Sequence, residues 1–189
     1  MKTQKRMILA ITGATGAIYG LRTLEALKDQ GIEVHLILSP VGEQILVEET
    51  GTSLTQVKTI ADRTYQPDDL HAPIASGSYH TDGMLVVPCS IKTLSGIANS
   101  YANNLIQRAA DVCLKEGRPL LLGVRETPLH HGHLRLMSLA AEAGAIVFPP
   151  IPSFYDKPET LDDLVNATVG RMLARIGISN DRFQPWGED

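Results

Sequence analysis

Short apolar runs alternate along this chain with longer segments in which apolar residues recur at helical spacing. The runs are too apolar to alternate between a buried and an exposed face, as expected for parallel strands that helices cover on both sides. This alternation predicts βα units and a doubly wound α/β fold with a mainly parallel sheet. The predicted strands are Met7–Thr12, Val34–Leu38, Met84–Val87, Leu120–Val124 and Ala145–Phe148.

The longer segments predict four helices. The first covers Ala17–Gln30, where leucines form one stripe and Gly31 marks the end. The last begins after Thr160, a predicted N-cap with aspartates in the first turn, and runs to about Ile176. The other two cover Leu105–Glu116 and His133–Ala143.

Three segments fit neither a strand nor a helix. Asp62–Gly83 is polar and contains several prolines and glycines, and we expect a long loop there. Phe148–Pro158 is proline-rich and follows the last predicted strand. Arg182–Asp189 is a tail in which we expect Trp186 to make a contact.

Composition narrows the class of protein. The 189 residues predict a single domain, 1–189, with a C-terminal tail at 177–189, and 43% of them are hydrophobic, enough for a core. The net charge of −4 argues against a nucleic-acid partner. Cys89 and Cys113 form no disulfide framework, which fits a reducing compartment. With no membrane-spanning run and no complete signal peptide, we expect a cytoplasmic protein.

Ligands of doubly wound sheets bind beyond the C-terminal ends of the strands. In the first such loop, the glycines at positions 13 and 16 let the backbone approach a ligand, although a tight turn alone would also need glycine. Their spacing is not the G-x-G-x-x-G of dinucleotide sites. The segments expected at this edge are Gly13–Ala17, Ser39–Gly42, Pro88–Thr93, Arg125–Leu129 and Pro149–Tyr155.

The second and third segments favour a phosphate over a dinucleotide. Ser39 stands where NAD enzymes usually carry a carboxylate for the ribose. Ser90, Lys92 and Thr93 at a helix start predict a phosphate cradle, with simple N-capping as the alternative. Cys89 is either a nucleophile or, as is commoner, a small buried hydrophobic residue.

Charged residues follow the fourth predicted strand. Arg125 and Glu126 suit an anionic ligand and a proton-transfer group. The histidines of residues 130–133 lack a carboxylate or cysteine partner, so we expect no metal site. From spacing alone, Arg108 and Lys115 indicate one solvated helix face.

Together these motifs resemble the UbiX-type flavin prenyltransferases, a family long labelled aromatic acid decarboxylases. The resemblance implies a three-layer, Rossmann-like, homo-oligomeric flavoprotein fold, typically a dodecamer with sites at subunit interfaces. It implies metal-independent transfer of a dimethylallyl group from dimethylallyl monophosphate to N5 and C6 of FMN, giving prenylated FMN for a UbiD-type decarboxylase. The motifs run nearly end to end: ITGATGAIYG, ASGS, PCSIKTLSGI, RAADVCLKEGRPL, VRETPLHHGHLRLM, PPIPSFY and LDDLVN.

The resemblance also implies roles for individual residues. It replaces the interpretation of Arg108 and Lys115 as part of a solvated helix face. The residues implied to bind FMN are Gly13, Ala14, Thr15, Ser39, Ser90, Ile91, Lys92, Thr93 and Arg125. Those implied to bind the prenyl phosphate are Tyr155, Arg171, Arg108 and Lys115. Those implied to be catalytic are Thr15, Glu49, Glu126 and Tyr155.

Two departures and two alternatives accompany this resemblance. Thr15 replaces a familiar serine, and this replacement is expected to affect the rate rather than the type of reaction. His131 replaces a familiar leucine.

The alternatives are an FMN-dependent decarboxylase, of an aromatic acid or a cysteine conjugate, and a non-catalytic FMN carrier subunit. His35 lies inside a predicted strand, unlike the early catalytic histidine of the cysteine-conjugate enzymes. The pathway served, ubiquinone synthesis or phenolic-acid breakdown, is left open.

Overall fold

The computed structural model describes residues 4–155, 157–184 and 187. Trp186 lies outside these residues, so its contact stays a prediction. In the described part of the chain, six strands form one sheet that is parallel throughout. The strands are β1 Arg6–Ile11, β2 Glu33–Leu38, β3 Arg63–Tyr65, β4 Gly83–Cys89, β5 Leu120–Val124 and β6 Ile146–Val147.

Seven α-helices are found in the same residues, together with one turn of 3-10 helix at Pro73–Ala75. The four predicted helices are all present, and none of their ends differs from the prediction by more than two residues. The helices are α1 Ala17–Asp29, α2 Pro40–Thr50, α3 Leu54–Ile60, α4 Ile91–Ala98, α5 Leu105–Lys115, α6 His131–Glu142 and α7 Leu161–Arg175.

The strand order β3-β2-β1-β4-β5-β6 confirms the doubly wound, Rossmann-like sheet. The chain moves outward from β1 to β3 and then returns to the centre to place β4 on the other side of β1. Connections on the two halves therefore run in opposite directions, and a crevice opens between the ends of β1 and β4. Such a switch point is where open α/β sheets bind ligands.

Three layers result because the central strands are apolar on both faces. Met7, Leu9 and Ile11 of β1 pack in one core with residues of α1, α2, α3 and α7. Ile8 and Ala10 of the same strand pack in the other core, with α4, α5 and α6. The alternation of one strand between two cores explains why its sequence shows no polar face.

The prediction of a loop over Asp62–Gly83 was wrong in part. This segment contains β3, which pairs with β2, and the 3-10 turn. β3 has three residues, two of them exposed, so it lacks an apolar run. Helix α2 was also not predicted. Gly42 and Leu46 are its buried residues and lie on one face, but glycine has no apolar side chain, so the sequence shows no apolar stripe.

The helix that was predicted from His133 begins two residues earlier. Helix α6 begins at His131, because the imidazole Nδ1 of His130 accepts a hydrogen bond from the backbone of Gly132 over 3.0 Å and caps the helix. His131 and His133 are therefore helical.

Within the described residues, no helix is long and apolar enough to span a membrane.

Candidate functional site

A cleft of about 660 Å³ opens at the switch point, at the C-terminal ends of β1, β2, β4 and β5. Its volume falls within the range of about 300–1,000 Å³ typical of small-molecule sites. The lining residues are Gly13, Ser39, Pro40, Val41, Pro67, Asp68, Ser90, Ile91, Lys92, Thr93, Asn103, Asn104, Ile106, Gln107 and Glu126. Two of the helices that border this cleft, α2 and α4, begin directly after strands and present their N-termini to it.

The start of α4 is fixed by a buried threonine. The Thr12 hydroxyl donates to the carbonyl of Pro88 and accepts a hydrogen bond from the backbone N–H of Ser90, each over 2.8 Å. Ser90 in turn caps α4 by accepting from the backbone N–H of Thr93. The first N–H groups of a helix have no partner within it, so α4 presents free donors to the cleft.

The start of α2 resembles that of α4. Ser39 caps the helix by accepting from the backbone N–H of Gly42 over 3.0 Å. Proline at the first helical position is favourable because this position has no intrahelical N–H bond to lose. The two serine-capped helix ends, with the exposed Lys92 beside one of them, form the part of the cleft best suited to an anion.

Gly13 forms the wall of the cleft beside α2. A Cβ atom at this position would lie 2.8 Å from Cγ1 of Val41, a contact that real side chains do not tolerate. Because Val41 also lines the cleft, any side chain at position 13 would have to displace Val41 or occupy the space of the ligand itself. Close backbone approach, rather than a left-handed conformation, is therefore the reason for glycine here.

Helix α1 has an unusual cap. Its N-cap residue, Gly16, has no side chain to offer, and the carboxylate of Glu49 from α2 takes this role. Glu49 Oε2 accepts hydrogen bonds from the backbone N–H groups of Gly16 and Ala17, each over 2.9 Å. The positive end of α1 is therefore already occupied by an anion of the chain itself.

Seven of the residues singled out in the sequence line this one cleft: Gly13, Ser39, Ser90, Ile91, Lys92, Thr93 and Glu126. Arg125 follows β5 at the same edge, and its backbone N–H donates to the carbonyl of Cys89. Ala14 and Thr15 follow Gly13 in the first loop, and Thr15 is exposed. These three lie next to lining residues but not among them.

Arg108 and Lys115 lie apart from the cleft, on α5 beside the segment 75–78. Arg108 donates to the carbonyl of Ala75 and forms an ion pair with Asp111. Lys115 pairs with Glu116, and this hydrogen bond lowers the pKa of the Glu116 carboxyl. Within one chain, the structure does not bring these two cations to the switch point.

Arg171 and Tyr155 also lie outside the lining of the cleft. Arg171 is exposed on α7, and its guanidinium lies 5.7 Å from the ring centroid of Phe183. Tyr155 ends the proline-rich segment that follows β6 and is 38% exposed. The four predicted substrate residues thus all lie outside the lining of the cleft of the same chain.

Sequence reasoning missed the lining residues at the start of α5. Asn104 caps α5 by accepting from the backbone N–H of Gln107 over 3.0 Å, and both side chains line the cleft. The helix was predicted to begin at Leu105, as it does, and an asparagine before an apolar helical stripe is an N-cap signal, but neither places this helix start at the cleft. The rule about strand ends gave no reason to examine it, because no strand precedes α5.

Two chemical alternatives can be assessed from the geometry. Cys89 is fully buried in β4, and burial raises the pKa of its thiol to about 12, as expected for a packing residue and not for a nucleophile. The rings of His130 and His133 lie 3.7 Å apart. In the described ranges, however, no group of three or more histidine, cysteine or acidic side chains is placed to hold a metal ion.

Comparison with known sequences gives the family. The chain matches the family model described as Flavoprotein over residues 1–173. It is 55% identical to flavin prenyltransferase UbiX of Salmonella typhimurium over 185 residues, which cover 96% of this chain and 98% of that protein. It is 48% identical to flavin prenyltransferase UbiX of Archaeoglobus fulgidus over 182 residues, covering 96% and 100%.

Solved structures agree with the sequence relatives. AnUbiX, crystallised with FMN and dimethylallyl pyrophosphate, superposes with a TM-score of 0.96 at 43% identity, covering 98% of this chain and 99% of its own. A dodecameric FMN-dependent UbiX-like decarboxylase from Escherichia coli O157:H7 gives a TM-score of 0.93 at 44% identity, covering 96% and 98%. The chain described here belongs to the UbiX-type flavin prenyltransferase family of flavoproteins.

Proposed function

We propose that this chain transfers a dimethylallyl group from dimethylallyl monophosphate to reduced FMN, forming bonds at N5 and C6 and releasing inorganic phosphate. The observation that carries the proposal is the cleft at the switch point, where two serine-capped helix ends and a glycine wall meet. Reduced FMN supplies the nucleophilic ring atoms N5 and C6, and each loses one proton. One of these protons leaves with the phosphate and the other is added to the prenyl double bond, so that the flavin gains C5H8 overall.

The residues of the cleft fit FMN as a ligand with one phosphate. The free N–H groups of α2 and α4, with Ser39, Ser90 and Lys92, are suited to hold that phosphate. Gly13 and the loop after it, Ala14 and Thr15, would leave room for the flavin ring. No carboxylate follows β2 at position 39, where a dinucleotide site would bind ribose.

The cations outside the cleft are proposed to bind the prenyl phosphate. Arg108, Lys115 and Arg171, with Tyr155, would stabilise the negative charge that develops as the carbon–oxygen bond to phosphate breaks. Since Arg108 lies on α5 and Arg171 on α7, and these helices pack in different cores of one chain, we propose that neighbouring copies bring the two arginines to a shared site. The exposed apolar residues Ile151, Phe154 and Leu161 would provide part of the contact between copies.

Proton handling is assigned to Thr15, Glu49, Glu126 and Tyr155. The Thr15 hydroxyl is exposed in the loop beside the Gly13 wall, and Glu126 lines the cleft. Glu49 is held in place at the start of α1 by two backbone N–H groups that donate to its Oε2. A threonine-to-valine change at position 15 is expected to slow the reaction, and serine to preserve it.

The product and the assembly complete the proposal. Prenylated FMN would pass to a UbiD-type decarboxylase, because a modified flavin is useful only to an enzyme that takes it as a cofactor.

We propose a homododecamer, as in the related E. coli structure, and a cytoplasmic location. Two buried free cysteines fit a reducing compartment. Light scattering of the purified protein measures the number of copies.

The test is anaerobic incubation of the purified chain with reduced FMN and dimethylallyl monophosphate, followed by mass spectrometry of the released flavin. A flavin heavier by C5H8 supports the proposal. Since AnUbiX was crystallised with the pyrophosphate, that donor is assayed in parallel to define the leaving group. An unmodified flavin with carbon dioxide release from an aromatic acid would indicate the decarboxylase, and bound FMN without any turnover the carrier.

A further inference from the structure

Arg171 on α7 is held by an aromatic ring. Its guanidinium lies 5.7 Å from the ring centroid of Phe183, within the range of a cation–π contact. Among the residues that the structure describes, Arg171 makes no hydrogen bond or ion pair. The guanidinium N–H groups of Arg171 therefore have no acceptor among these residues, whereas those of Arg108 donate to Ala75 and Asp111.

Phe183 owes its position to the segment 178–184, named here the C-terminal clasp. The clasp follows α7 and folds back onto it beside Gly170. A Cβ at Gly170 would lie 2.7 Å from Oδ1 of Asn180 and 3.0 Å from Cδ1 of Phe183. Only a residue without a side chain at position 170 lets the clasp approach α7 this closely.

Hydrogen bonds fix the clasp at two further points. The side-chain amide of Asn180 donates to the carbonyl of Gly170 over 3.1 Å, next to Arg171 in the helix. Arg182 donates to the side-chain oxygen of Asn166 and to the carboxylate of Asp29, each over 2.6 Å. The clasp is thus tied to α7 and to α1, and the residue that follows Arg182 is the one placed against Arg171.

We propose that the C-terminal clasp is a positioning element for Arg171, with Phe183 as the positioning residue. A carboxylate in the place of Phe183 would neutralise the guanidinium and compete with an anionic ligand for its donors. An aromatic ring restricts the guanidinium without neutralising it, and leaves its N–H groups free for phosphate. The proposal rests on the function proposed above, in which Arg171 binds the phosphate of the prenyl donor.

The test measures binding in the absence of turnover. Protein loaded with oxidised FMN is titrated calorimetrically with dimethylallyl monophosphate. We expect Phe183→Leu, which removes the ring, to raise the dissociation constant about three- to tenfold. Phe183→Tyr, which keeps the ring, should stay within about twofold of the wild type. Gly170→Ala, which displaces the clasp through its added Cβ, should behave as Phe183→Leu does.

A coupling measurement separates positioning from general stability. In an Arg171→Ala background, adding Phe183→Leu should change the dissociation constant no further, because the contact that it removes is already absent. Equal weakening in both backgrounds, or no weakening by Phe183→Leu alone, overturns the proposal. Failure of Arg171→Ala to weaken donor binding overturns the role of Arg171 and the clasp proposal together. The flavin prenylation assay then decides separately whether the proposed function stands.

Discussion

The side chain of Thr12 holds the backbone of Ser90: its hydroxyl accepts the Ser90 N–H over 2.8 Å at a position with no solvent exposure. The same hydroxyl donates to the carbonyl of Pro88. Thr12 directly follows β1, and Ser90 directly follows β4, so this one side chain joins the two strand ends that flank the switch point.

Thr12→Val should destabilise the protein by about 1–3 kcal/mol. Valine has the shape of threonine but no hydroxyl, so the N–H of Ser90 and the carbonyl of Pro88 each lose a hydrogen bond. It should also weaken FMN binding, since Ser90 caps a helix of the cleft. Urea unfolding and flavin fluorescence titration measure the two effects. Thr12→Ser keeps the hydroxyl and should recover most of both. Equal behaviour of the valine and serine variants would falsify the role of the hydroxyl.

Gly13→Ala should weaken FMN binding strongly, and Gly13→Val should abolish it, because a Cβ there collides with Val41 at the cleft wall. Fluorescence titration of FMN into flavin-free protein measures the loss. Gly51→Ala is the control: it replaces a left-handed glycine whose added Cβ has nothing within 4 Å. It should lower stability through backbone strain and leave FMN affinity unchanged. Full flavin content in Gly13→Val would show that the ligand lies elsewhere.

Stability should fall on mild acidification because of His35. The imidazole has no solvent exposure, with Tyr65 and Glu33 at its two nitrogens, and burial lowers its pKa. Below the ordinary value of about 6.5, the unfolded chain takes up a proton that the folded chain does not. The stability conferred by neutral His35 is therefore present above this pH and is lost as the pH falls, by at most about 1.4 kcal/mol per pH unit.

Urea unfolding between pH 8 and pH 5.5 measures that dependence. His35→Gln, which is neutral throughout, should show a shallower decline than the wild type, even though its stability at neutral pH is lower. His71→Asn removes an exposed histidine and should leave the slope unchanged. A slope in His35→Gln as steep as that of the wild type would assign the acid sensitivity to other groups.

Neither cysteine should react with iodoacetamide in the folded protein at pH 8. Both thiols are fully buried, and burial raises the pKa of each to about 12, so almost no thiolate forms. Intact mass spectrometry should show an unmodified chain in buffer and two additions in concentrated urea, where both cysteines are exposed. Rapid modification of folded protein at Cys89 would restore the nucleophile hypothesis for this residue.

The fold was predictable where burial left a pattern in the sequence. β1, β2, β4 and β5 are buried along nearly their whole length, so their residues had to be apolar and the runs were visible. β3 is mostly exposed, and α2 buries two residues, so neither leaves such a run. Strand order could not be predicted from periodicity alone, because it depends on which apolar faces meet.

The candidate site was predictable to the same extent and for a related reason. Gly13, Ser39 and Ser90 follow strands directly, so the rule about strand ends located them. Gln107 and the hydroxyl of Thr12 contribute through tertiary contacts that leave no local pattern. The spatial separation of Arg108 from Arg171 also lay beyond the sequence, since a motif resemblance carries no information about distance.

The carboxylate of Glu49 makes the start of α1 electrostatically different from the starts of α2 and α4. Because Glu49 occupies the start of α1, this helix end repels a second anion, while the starts of α2 and α4, which border the cleft, attract one. A flavin is therefore expected to enter with its phosphate toward Ser39 and Ser90 and its uncharged ring toward Gly13. The orientation of the reactive edge would then depend in part on the charge of Glu49, which lies outside the lining of the cleft.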